Sequence, residues 1–178
     1  GAVLTGAALG ESARRALGAK VDLLAEKGVM TDGGFLESIG ALVERPRGGR
    51  VLVVDDNDAN RRVARVMLEA AGYVVSEAAS GEEAIETIAA DPPEVVLMDV
   101  RMTGIDGLEA TARLRADPKT ARLPVIAVSA QAMRGDRERC LAVGMNGYLS
   151  KPVNPELLYN TLADILRKKQ VTNNNFQR

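Results

Sequence analysis

The sequence predicts an α/β fold of the (βα)5 type, a doubly wound five-stranded parallel sheet with helices on both faces. Two observations carry this expectation. Apolar runs such as Val51-Leu52-Val53-Val54, Val95-Val96-Leu97-Met98 and Val125-Ile126-Ala127-Val128 lack polar alternation, as strands buried on both faces do. Segments with helical spacing of apolar residues separate them, and that alternation gives a parallel sheet with crossover helices.

Taken in order, the first strand is Val51–Val54, ending in Asp55-Asp56. Asn57 or Asp58 can cap the next helix, which carries Val63, Val66, Met67 and Ala70 on one face and stops at Gly72. Tyr73-Val74-Val75 reads as a short second strand. Ser80 and Glu83 have capping-box spacing for a helix with Ala84, Ile85 and Ile88. The third strand runs into Asp99, and a helix through Leu108, Ala112 and Leu114 follows. The fourth strand, from Pro124, ends at Ser129-Ala130, and the spacing predicts a helix from Met133 to Val143, closed by Gly144. Met133 and Met145 read as packing residues, and Cys140 as a small helix residue. Tyr148-Leu149 marks a fifth strand before Lys151-Pro152. Asn154 caps the last helix, with Pro155 in its first turn and Leu158, Leu162 and Ile165 inward.

Composition narrows the function. Across 178 residues the hydrophobic content is 46% but aromatics are 3%, so the core is built from aliphatic side chains and Met. A net charge of -1 argues against a nucleic-acid surface. The single cysteine forms no internal disulfide, which fits a reducing cytosol. No apolar run approaches the roughly 20 residues that span a bilayer, so direct membrane insertion is not expected and the segment reads as cytoplasmic. Histidine is absent, which removes His nucleophiles, His bases, His-ligated metals and any phosphohistidine from this chain.

In an open α/β sheet, chemistry sits beyond the carboxyl ends of the strands. Asp55, Asp56, Asp99, Ser129 and Lys151 all fall at such ends and so at one edge of the sheet. Carboxylates crowded there repel by roughly 4 kcal/mol per pair at 4 Å and an effective dielectric of about 20. Such a site needs a cation. Oxygen ligands without His or Cys favour a hard ion, Mg2+ first. Mg2+, a lysine and a small hydroxyl around a carboxylate are the parts for phosphoryl transfer to Asp, with Ser129 and the Ala130 N–H available to phosphoryl oxygens.

Val54-Asp55-Asp56-Asn57, Leu97-Met98-Asp99-Val100, Asp106-Gly107, Ser129-Ala130 and Gly144 through Lys151-Pro152 occur in that order at the predicted strand ends. In these motifs residues 51–168 resemble the receiver domain of two-component response regulators. The resemblance implies the flavodoxin-like strand order 2-1-3-4-5, with Asp99 as phosphoacceptor. It implies Mg2+ held by Asp55, Asp56, Asp99 and the Arg101 backbone carbonyl, and Lys151 on the phosphoryl group before a cis Pro152. Ser129 and Tyr148 would be a switch pair, the hydroxyl moving toward the phosphoryl group as the ring turns inward. Arg101 and Gln131 stand where the family tunes phosphoryl lifetime. Thr103 departs from the family's usual Pro, so the loop after Asp99 is expected to be less rigid, without effect on the chemistry.

Other readings fit less well. A dehalogenase-type phosphohydrolase needs a second Asp two residues after the nucleophile, where Arg101 stands. A flavodoxin-like or dinucleotide-binding protein needs a Gly-rich loop after the first strand, where Asp55-Asp56-Asn57-Asp58 would repel phosphate. A degenerate receiver serving as a docking or autoinhibitory module is the more serious alternative, although every acceptor residue is present.

Three segments are expected: residues 1–49 as an N-terminal segment and linker, 50–169 as the receiver, and 170–178 as a flexible tail. Thr5 to Lys27 spans the same interval as Ser129 to Lys151, with matching apolar runs and glycines, so the first segment reads either as part of a degenerate receiver-like unit or as a helical linker or dimerisation element. No DNA-binding output domain is expected downstream. The motif wording is most similar to bacterial receivers at the C-terminus of hybrid sensor histidine kinases. That implies a histidine kinase domain or histidine phosphotransfer protein as partner and a homodimer through the parent kinase; a free-standing regulator is the other reading.

Overall fold

In the computed structural model, residues 49–130 and 133–175 are described. The expectations for residues 1–48, for Gln131 and for the last three residues lie outside them. Among the described residues five strands alternate with five helices: β1 (Arg50–Val54), α1 (Asp58–Ala70), β2 (Val74–Ala78), α2 (Gly81–Ala90), β3 (Val95–Asp99), α3 (Gly107–Ala116), β4 (Val125–Ser129), α4 (Asp136–Ala142), β5 (Gly147–Ser150) and α5 (Pro155–Asn175). The strands pair in the order β2-β1-β3-β4-β5, and every pair is parallel. This is the expected doubly wound sheet.

The apolar runs are buried because both faces of the sheet are covered. Leu52, Val54, Val96, Met98, Val125 and Ala127 pack with Ala84 and Ile88 of α2, Ala110 and Leu114 of α3, and Cys140 of α4. Alternation along the strands turns Val51, Val53, Val95, Leu97, Ile126 and Val128 the other way. There α1 and α5 meet, joined by the Tyr159 hydroxyl, which donates to the Met67 carbonyl at 2.9 Å. Burial pushes the Tyr159 phenol up to about 12. Among the described residues no helix is long and apolar enough to cross a membrane.

Local signals place most helix ends. Asn57 caps α1 through the Asn60 N–H, Ser80 caps α2 through the Glu83 N–H, and Asp106 caps α3 through the Glu109 N–H. Asn154 Oδ1 accepts from the Leu157 N–H at the start of α5. The Glu83 carboxylate also reaches back, accepting from the Ala79 N–H one residue before the Ser80 cap at 2.7 Å.

Four expectations are corrected. Helix α4 begins at Asp136 rather than Met133, because Gly135 holds a left-handed φ of 96° that cannot continue a helix backwards. Met133 is therefore not a packing residue; it is 62% exposed. On α5 Leu158 and Leu162 are buried as expected, but Tyr159 and Leu166 complete the buried face and Ile165 is only half-buried. Helix α5 also continues to Asn175, so residues 170–175 of the expected flexible tail are helical; a helix already formed gains one hydrogen bond per added residue, which carries it through the weak helix formers Val171, Thr172 and Asn173.

Candidate functional site

Parallel strands bring their carboxyl ends to one edge, and the expected residues gather there. Asp55 follows β1 and is buried; Asp56 beside it is exposed; Asp99 closes β3 and is buried; Lys151 follows β5. One carboxylate oxygen from each of Asp55, Asp56 and Asp99 lies within 4.8 Å of the others. The Lys151 ammonium donates to Asp55 Oδ2 at 2.7 Å and stands 3.2 Å from Asp99 Oδ2. The Lys151–Pro152 peptide is cis, as expected.

Each carboxylate has its own hydrogen-bond partners, and those of Asp56 come from another loop. Asp55 Oδ1 accepts from the Asn57 N–H at 2.8 Å, so the residue that caps α1 also fixes this acid. Asn60 Nδ2 donates toward both Asp55 oxygens at 3.2 and 3.4 Å, and the Arg61 guanidinium holds the Asp55 carbonyl at 2.7 Å. Asp99 Oδ1 accepts from the Arg101 N–H at 3.2 Å. Asp56 Oδ2 accepts from the Thr103 N–H at 3.2 Å and faces its hydroxyl at 3.5 Å. Asn60 and Thr103 were not among the expected site residues. Asn60 gave a faint signal, since it lies five residues past Asp55, one turn into the helix that follows.

Electrostatics follow from this crowding. Burial first, and the neighbouring Asp55 charge second, raise the pKa of the Asp99 carboxyl; Lys151 and the Arg101 N–H oppose them without cancelling them. For Lys151, burial works against the ammonium, but the hydrogen bond to Asp55 and the charge of Asp99 outweigh it, and its pKa is raised. Three carboxylates thus face one ammonium that reaches two of them. An oxygen-only donor set with uncompensated negative charge fits a hard divalent cation. The residues present therefore suit Mg2+.

Hydrogen bonds tie the loop after β3 to its surroundings. Ile105 donates its N–H to Glu82 Oε1 at 3.2 Å, and Gly107 donates to the Val100 carbonyl at 3.1 Å. A Cβ on Gly107 would sit 2.2 Å from the Asp99 carbonyl oxygen, so only glycine lets α3 start this close to the strand end. Arg101 is exposed, and its carbonyl lies two residues beyond Asp99.

The remaining residues are placed as follows. Ser129 is buried at the end of β4, and its carbonyl accepts from the Lys151 N–H at 2.8 Å, which fixes Lys151 to the neighbouring strand. Ala130 follows it and is exposed. Tyr148 is half-buried against the core cluster, and its strand partner is Ala127, two residues before Ser129. Ser129 and Tyr148 thus lie on adjacent strands, on the face of the sheet that α4 covers.

Comparison with known proteins agrees with this geometry. Residues 51–163 match the family described as response regulator receiver domain. The chain is 37% identical over 116 residues to the polar-differentiation response regulator DivK of Brucella ovis, covering 65% of this chain and 94% of that protein. It is 38% identical over 122 residues to the response regulator PleD of Caulobacter vibrioides, covering 68% of this chain but only 27% of PleD. Among solved structures, the receiver domain of sensor histidine kinase PA1611 from Pseudomonas aeruginosa PAO1, with a magnesium ion coordinated in its active site cleft, aligns at 39% identity and a TM-score of 0.63 over 67% of this chain and 98% of that one. Sheet order, acidic strand ends and sequence likeness agree, and the chain belongs to the response regulator receiver domain family.

Proposed function

We propose that the chain is a working receiver in a phosphorelay, with Asp99 accepting a phosphoryl group from a phosphohistidine in a Mg2+-dependent reaction. The observation that carries this reading is the meeting of Asp55, Asp56 and Asp99 oxygens within 4.8 Å, with Lys151 bridging two of them. The unit concerned is residues 50–169. Its donor and acceptor partners are a histidine kinase domain or a histidine phosphotransfer protein, and the parent is a hybrid sensor histidine kinase.

An Asp99 oxygen forms the new bond to phosphorus as the phosphorus–nitrogen bond of the phosphohistidine breaks. The electron pair leaves with the imidazole, which becomes neutral histidine once protonated. Burial disfavours the ionised nucleophile, and the adjacent Lys151 ammonium offsets part of that cost. Asp55, Asp56, Asp99 and the Arg101 carbonyl would hold Mg2+, which would supply positive charge to the transferring oxygens. Lys151 adds a second positive charge from the β5 side, and the Ser129 hydroxyl and Ala130 N–H donate to the remaining oxygens. Ser129 then moves toward the phosphoryl group and the half-buried Tyr148 ring turns inward, shifting the population of two packings around α4 and β5.

With Mg2+ and acetyl phosphate the chain gains one acid-stable, base-labile phosphoryl group, measured by intact mass. Asp99→Asn gains none, and a chelator prevents the gain in the wild type. Labelling of Asp99→Asn would move the acceptor elsewhere, and an unlabelled wild type with Mg2+ present would leave the docking-module reading. A second measurement addresses the switch. Beryllofluoride with Mg2+ shifts amide signals at Ser129 and around Tyr148; shifts confined to the loops carrying Asp55 and Asp99 would remove Tyr148 from the response.

A further inference from the structure

We infer that Thr103 is a positioning residue for the metal site, holding the exposed Asp56 carboxylate in the orientation that a divalent cation needs. The inference rests on the reading of Asp55, Asp56 and Asp99 as that site.

The three acids are not equally fixed. Asp55 is buried and held by the Asn57 N–H, Asn60 and Lys151. Asp99 is buried and held by Lys151 and the Arg101 N–H. Asp56 is exposed, and among the described residues both hydrogen bonds to its carboxylate come from Thr103. An exposed aspartate without a partner samples several rotamers, and a cation must select one of them. Thr103 makes that selection in advance.

The geometry suits the task. Both Thr103 donors address Oδ2, so Oδ1 keeps its lone pairs for a cation. The bonds cross 47 residues of sequence and join the loop after β1 to the loop after β3. The second loop is itself held, because Ile105 donates to Glu82 Oε1 at the start of α2. Thr103 therefore acts from a fixed support. A proline at this position has neither an N–H nor a hydroxyl and could make neither contact. A hydrogen bond to an ionised carboxylate is also among the stronger ones, and partners of metal ligands strongly affect metal affinity.

The test is Mg2+ titration of the full chain, followed by calorimetry and by amide shifts, across Thr103→Ser, Thr103→Val and Thr103→Pro. Ser keeps both donors and binds as the wild type does. Val keeps only the N–H and weakens binding about threefold; Pro removes both donors and weakens it about tenfold, at the low end for a ligand's hydrogen-bonding partner. In an Asp56→Asn background the Val and Pro changes leave Mg2+ affinity where the single Asp56→Asn variant puts it, because their route is Asp56. A Thr103→Pro protein that binds as tightly as the wild type would overturn the inference. So would an equal loss in the Asp56→Asn background, which would mean that the loop as a whole had shifted. Thermal unfolding without Mg2+ identifies a variant that misfolds, and Thr103→Val, a surface change, then decides. A wild type that binds no Mg2+ would overturn the metal-site reading itself, an outcome distinct from a wild type that binds while Thr103→Val is unchanged.

Discussion

Lys151→Met destabilises the metal-free domain at neutral pH by about 3 kcal/mol, the lower end of the cost of removing one partner of a buried ion pair. The Lys151 side chain is 20% exposed, and the two carboxylates that it reaches are 7% and 6% exposed. Solvent therefore screens the interaction weakly, and Met preserves the apolar stem. What remains is two buried acids without their shared ammonium. The cost stays at the lower end because Asp55 retains the Asn57 N–H and Asn60, and Asp99 retains the Arg101 N–H.

The pH dependence has a definite sign. The Asp99 carboxyl is raised above its ordinary value of 3.8, so folding disfavours its ionised form. Unfolded chains ionise first, and stability falls as pH rises from about 3.8 through the folded pKa. Removing Lys151 takes away one of the influences that hold that pKa down, so the gap between variant and wild type opens as pH rises out of the carboxylate range. At the alkaline end, Lys151 is raised above 10.5, so its own contribution is complete below that value and disappears as pH climbs through the folded pKa. Urea unfolding at about pH 4 and about pH 7, with and without Mg2+, reads all of this. The deficit is large at neutral pH, small in acid, and partly restored by Mg2+ or by adding Asp99→Asn. A deficit equal at both pH values and indifferent to Mg2+ would mean that Lys151 matters only through its stem.

The strand ends were legible because they obey a local rule. An apolar run that stops at a carboxylate, as at Val54-Asp55 and Met98-Asp99, says both that the strand is buried on two faces and that the acid stands at its tip. Parallel pairing then brings the tips together with no further information. The contacts that fix those acids carry no such local mark. Asp56 and Thr103 are far apart in sequence, and the sign that they meet is a bond between two loops. The expectation that Thr103 loosens its loop treated the missing proline only as lost rigidity; the hydrogen bonds that threonine can make and proline cannot were invisible without the fold. Helix α4 failed for a related reason. Apolar spacing from Met133 looked helical, but the left-handed Gly135 sets the start, and a glycine alone does not announce its φ. On α5, Leu158, Leu162 and Ile165 satisfy the helical period, yet so do Leu158, Tyr159, Leu162 and Leu166, and only the docking against α1 chooses between them.

Gly107→Ala carries the second large effect, and it joins stability to the site. The added Cβ would lie 2.2 Å from the Asp99 carbonyl oxygen and 2.9 Å from Met98 Cγ. The methionine side chain can yield, but the carbonyl belongs to the last residue of a central strand flanked by β1 and β4. Main chain must therefore move by close to 1 Å, either at the start of α3 or at the end of β3, and overpacking of this kind costs about 3 kcal/mol. Movement of α3 breaks the bond from the Gly107 N–H to the Val100 carbonyl; movement of β3 displaces Asp99 itself. Both routes pass through the loop that supplies Arg101 and Thr103, so Mg2+ binding weakens together with stability. Ala112→Gly, on the exposed side of the same helix, separates the two consequences. It costs roughly 0.5–1 kcal/mol through backbone entropy and leaves Mg2+ affinity unchanged. Urea midpoints and Mg2+ titrations of both variants read the contrast. If Gly107→Ala lost stability yet kept wild-type Mg2+ affinity, α3 alone would have given way, and the position of Asp99 would be independent of the helix that begins against it.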